Sequence, residues 1–68
     1  MVLVYKTSVT DPQIAEKITQ SLEKALGAQK VNFDLEDCDN ILRIESSSVD
    51  KEMVQEILHQ YSHQAEML

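Results

Sequence analysis

Six side chains in this sequence carry the chemistry to hold a transition metal: Asp11, Asp37, Cys38, Asp39, His59 and His63. Thiolate, imidazole and carboxylate are ordinary zinc or nickel ligands. Cys38 sits in the acidic run Asp34-Leu35-Glu36-Asp37-Cys38-Asp39, and the two histidines are four residues apart. That spacing puts two rings on one face of a helix and suits zinc when a third ligand joins them. Each residue also has a structural alternative. Asp37 and Asp39 suit turn hydrogen bonds. A free cysteine is often buried as a small apolar group, and histidines sit readily at a wet surface. A calcium loop needs ligands at fixed spacing and a glycine at its sharp turn, and residues 34–39 contain no glycine. Their charges equally suit an edge strand protected against aggregation. The sequence places no nucleophile beside a base and has no glycine-rich phosphate loop. A chain of this length also has little interior for a pocket. The expectation is a protein that is not an enzyme and has no cofactor, the alternative being a divalent transition metal such as zinc.

These residues must be positioned by local structure, and its signals are clear. Residues ~2–7 are apolar, β-branched and aromatic, and predict a strand. Thr10 or Asp11 then caps a helix over ~12–26, with Pro12 in its first turn. Ile14, Ile18, Leu22, Ala25 and Leu26 form its apolar face, and Gly27 stands where a C-terminal cap is expected. Val31, Phe33 and Leu35 alternate with polar residues in a half-buried strand over ~31–36. Asp37 to Asn40 make a turn, and ~41–46 is the returning strand. Ser46, Ser47 and Ser48 connect to a second helix over ~50–61, capped by Asp50 and stapled by Val49 against Val54. Met53, Val54, Ile57, Leu58 and Tyr61 line its buried face. From His63 to Leu68 the chain either continues that helix or turns at Ser62 into an edge strand.

This order predicts one α+β domain over residues 1–68, a ferredoxin-like βαββαβ two-layer sandwich with antiparallel sheet order 4-1-3-2. The pattern Ile18, Leu22, Ala25-Leu26-Gly27 followed by Val31-Asn32-Phe33-Asp34-Leu35, together with the element order, resembles the heavy-metal-associated domain family. That family includes copper chaperones and the metal-binding domains of P-type ATPases. Its signature, Met-x-Cys-x-x-Cys, falls here on Val9, Asp11 and Ile14, so both thiolates are missing. Copper(I) prefers soft ligands, so the resemblance implies a degenerate member without copper transfer. Strand directions in this order put the first strand–helix loop, the hairpin and the second helix–strand loop at one end, the end where that family binds metal. Asp11, Glu36, Asp37, Cys38, Asp39 and His63 would gather there, with His59 nearby.

Charge narrows the partners. Twelve acidic and six basic side chains give a net charge of -6. Nucleic acid needs a basic face, and an anionic membrane surface is equally disfavoured. No apolar run approaches the ~20 residues of a membrane span, and the first residues turn polar too soon for a signal peptide. With one cysteine, a cytoplasmic setting is the expectation. The partner expected is a protein, or a second copy in a weak homodimer. The two central strands are apolar at consecutive positions, while helices cover one face only. With Val2, Val4, Leu42 and Ile44 turned to the helices, Leu3, Tyr5 and Ile41 would point outward beside Arg43 and Lys6 as an association surface. The strand can be read in either register, and scattered exposed apolar residues are ordinary.

Overall fold

The computed structural model describes residues 2–27, 30–36, 38–46 and 49–68. Asp37, Ser47 and Ser48, given roles above, lie outside the described residues. The elements run β1 (Val2–Thr7), α1 (Pro12–Leu26), β2 (Lys30–Asp34), β3 (Ile41–Glu45), α2 (Lys51–Gln60) and β4 (Ala65–Met67). All strand pairs are antiparallel and the sheet order is β2-β3-β1-β4, the expected order read from the other edge. Among the described residues no helix is long and apolar enough to cross a membrane.

The helix ends follow from side chains that satisfy orphan backbone groups. Asp11, not Thr10, caps α1 by accepting the Gln13 N–H at 2.8 Å, with Pro12 next. Asp50 accepts the N–H groups of Glu52 and Met53 at 3.0 and 3.2 Å. Gly27 closes α1 at φ 58°, a left-handed conformation that glycine adopts without steric cost. α2 ends on a double hydrogen bond. Ser62 N–H donates to the His59 carbonyl at 3.0 Å and His63 N–H to the Leu58 carbonyl at 2.9 Å. This is a Schellman cap, with Ser62 itself left-handed at φ 61°. The chain therefore turns at Ser62 and returns as edge strand β4.

One core unites the layers. Ala15, Ile18 and Leu22 from α1 meet Val54, Ile57 and Leu58 from α2 over Tyr5, Val31, Leu42 and Ile44 from the sheet. Val49 also packs against this core. Ala25, assigned above to the buried face of α1, is exposed.

The parity of β1 is the opposite of the one preferred above. Tyr5 is 1% exposed and Leu3 packs against the core, while Val2 is 53% exposed. Leu3 pairs with Ile44 and Tyr5 with Leu42, so all four face the helices. The cause is charge. Lys6 shares its side of the strand with Val2 and Val4, and an unpaired ammonium cannot enter a core. On β3, Arg43 and Glu45 hold Ile41 on the outer side in the same way. Leu3 and Tyr5 are therefore removed from the expected outward patch.

Candidate functional site

Three loops do converge at one end, joined by hydrogen bonds. Thr7 N–H donates to the Asp39 carbonyl at 3.2 Å, and Thr7 Oγ1 donates to the Asn40 carbonyl at 2.6 Å. These tie the end of β1 to the β2–β3 hairpin. Ser8 N–H donates to the Gln64 carbonyl at 3.2 Å, and Ser8 Oγ accepts the Gln64 N–H at 3.1 Å. Ser8 Oγ also lies 2.9 Å from His63 Nδ1. β1 is thus joined to the α2–β4 loop. An open pocket of about 210 Å3 lies beside this junction, between Lys6, Thr7, Ser8 and Gln64, Ala65, Glu66.

The residues singled out for metal chemistry have separate placements here. Asp11 uses its carboxylate to cap α1. Cys38 is exposed rather than buried as a small apolar group. Asp39 is half-buried, with its carboxylate 3.8 Å from Lys6 Nζ. His59 is exposed in the last turn of α2, and His63 is beyond the Schellman cap, so the two rings do not share a helix face. Among the described residues no three histidine, cysteine, aspartate or glutamate side chains are grouped to hold an ion. The hydroxyl–imidazole contact of Ser8 and His63 went unseen in the sequence. Residues 55 apart leave no spacing signal, and only the shared end of the fold unites them.

A hydroxyl against an imidazole is the pairing of nucleophile and base. Acyl transfer would also need backbone N–H groups aimed at a developing oxyanion. Three amides around this pair are already used: Ser8 N–H on Gln64, Gln64 N–H on Ser8 Oγ, and Val9 N–H on Thr7 Oγ1 at 3.3 Å. The contact acts as a clasp between loops.

The chain matches no protein-family model, no curated protein and no solved structure.

Two surfaces remain uncovered. The outer face of the sheet carries Val2, Val4 and Lys6 from β1 and Ile41, Arg43 and Glu45 from β3. Opposite charges face one another across its strands, Lys30 with Glu45 and Lys6 with Glu66. Ile41 lies between Asp34 and Lys6 and is 7% exposed despite standing outside the core cluster. The second surface is the β2 edge, where an open groove runs beneath α1.

Proposed function

We propose that this chain is a small non-catalytic interaction module, a ferredoxin-like domain of the heavy-metal-associated type that serves protein contact in place of metal transfer. What supports it is what stands at the two positions where the resemblance would put the cysteines. Asp11 stands at one, and its carboxylate is committed to the α1 cap. Ile14 stands at the other, half-buried against the core. Neither can give a thiolate, and copper(I) bound in near-linear geometry needs two soft donors. The neighbouring hydroxyls, Thr7 and Ser8, hold loops together. The same commitments support a non-catalytic role, because the Ser8, Val9 and Gln64 amides beside the Ser8–His63 contact already have acceptors and are not aimed at a substrate oxyanion.

A metal titration followed by native mass spectrometry tests this. The expected outcome is no copper(I) retained against a moderate chelator and no stoichiometric zinc. Retained metal that is lost in Cys38→Ser or His63→Ala would replace the interaction reading with a relocated metal site.

A further inference from the structure

The groove beside β2 has a volume of about 500 Å3 and is open to solvent. Its floor is apolar, made by Ala15 of α1, by Phe33 of β2 and by Leu35 just beyond that strand. Its rim is acidic, made by Glu16, Asp34 and Glu36. Among the described residues no lysine or arginine lines it. β2 is an outer strand of the sheet, so alternate residues turn their N–H and C=O groups to a free edge. The opposite edge is less suited. β4 has three residues, and its Ala65 carbonyl already accepts Gln55 Nε2 at 2.7 Å.

We propose, building on the interaction-module reading, that this edge docks an extended cationic segment of another protein, which adds as a further strand beside β2 and seats alternate apolar side chains beneath α1. Strand addition takes affinity from main-chain hydrogen bonds and specificity from alternate side-chain pockets. The groove supplies those pockets on the side of the sheet where an added strand would turn every second side chain. The charges select the occupant. The carboxylates come from both walls of the groove, Glu16 from α1 and Asp34 and Glu36 from the β2 side, the Asp34 carboxylate also accepting the Glu36 N–H at 3.2 Å. Spaced carboxylates match spaced lysines or arginines on an extended chain. A second copy fits less well. Antiparallel self-pairing about Asn32 would set Lys30 of one copy against Asp34 of the other, a favourable pairing of opposite charges at the strand ends. It would, however, bring together the acidic rims of two chains that each carry a net charge of -6. Like charges facing one another across an interface disfavour that partner.

The test is a nuclear magnetic resonance titration of the labelled protein with a capped peptide of alternating lysine and valine long enough to span β2. The expected result is saturable shifts confined to the amides of β2 and the facing side of α1, weakened by added salt. Replacing the lysines by glutamate abolishes them. Methylating the peptide's backbone nitrogens at alternate residues, in two complementary sets, abolishes binding in one set only, because a strand bonds its neighbour through alternate residues. Reversing two exposed rim charges, Glu16→Lys with Glu36→Lys, weakens binding about tenfold. Equal binding by both methylated peptides would reduce the effect to surface charge and overturn the proposal. So would sedimentation showing self-association that requires the β2 edge, or no shifts at about 1 mM peptide. Shifts on the outer face, at Val2, Val4 and Arg43, would overturn this docking site while leaving the interaction-module reading intact.

Discussion

Tyr5→Phe removes one oxygen from the centre of this protein and is expected to stabilise it. Tyr5 is 1% exposed in central strand β1, and among the described residues its hydroxyl has no hydrogen-bond partner. An unpaired buried hydroxyl costs about 1–3 kcal/mol in proteins. Phenylalanine keeps the ring and its packing against the core. The void left by one oxygen, about 10–15 Å3, costs roughly 0.3 kcal/mol at about 24 cal/mol per Å3. The net gain is therefore about 0.7–2.7 kcal/mol, a visible fraction of the roughly 3–10 kcal/mol expected for a domain of this size. Urea denaturation at pH 7 reads it directly, and in thermal melts each kcal/mol is worth about 4–8 °C. Alkaline pH supplies an independent arm. Burial raises the pKa of Tyr5 above its ordinary value of 10.0. Below pH 10 both folded and unfolded wild type keep this proton, and the gain from the substitution is constant. Above pH 10 the unfolded chain releases the proton while the folded chain holds it, so wild-type stability falls as pH rises. Tyr5→Phe lacks that loss, and the gap between the two proteins widens. Equal or lower stability of Tyr5→Phe at pH 7 would show that the hydroxyl is satisfied and would refute the reasoning.

Two left-handed residues give a matched pair of tests. Gly27→Ala, where an added Cβ meets nothing within 4 Å, should cost about 1 kcal/mol, left-handed strain of about 1–2 kcal/mol offset in part by the lower entropy of the unfolded alanine chain. Ser62→Gly should gain a similar amount by relieving the same strain in the Schellman cap; urea midpoints for both variants check the opposite signs. Ser8→Ala removes the acceptor for Gln64 N–H and the contact with His63. It should cost about 1 kcal/mol and speed hydrogen exchange at the Gln64 amide. If Ser8 were instead a nucleophile, the wild type would hydrolyse an activated ester faster than Ser8→Ala; no such difference is expected.

Most of the fold could be read from the sequence because its signals are local. Asp11, Pro12 and Gly27 bracket α1, Asp50 opens α2, and the alternation of Val31, Phe33 and Leu35 marks a strand with one wet face. These act through neighbours a few residues away, and no distant contact was needed to interpret them. The parity of β1 was also present, but in a charged residue rather than in the apolar ones. Val2-Leu3-Val4-Tyr5 fits either face, and a shift of one position exchanges every side chain. Lys6 and Thr7 break the tie, because the ammonium must face water and the hydroxyl can be bonded inside. What only the tertiary structure decided depends on residues far apart in sequence. The Ser8–His63 clasp, the exposure of Cys38, the separation of His59 from His63 and the groove between α1 and β2 have no local signature. Each is fixed by how the loops and layers meet, and sequence spacing carries no information about distances of that kind.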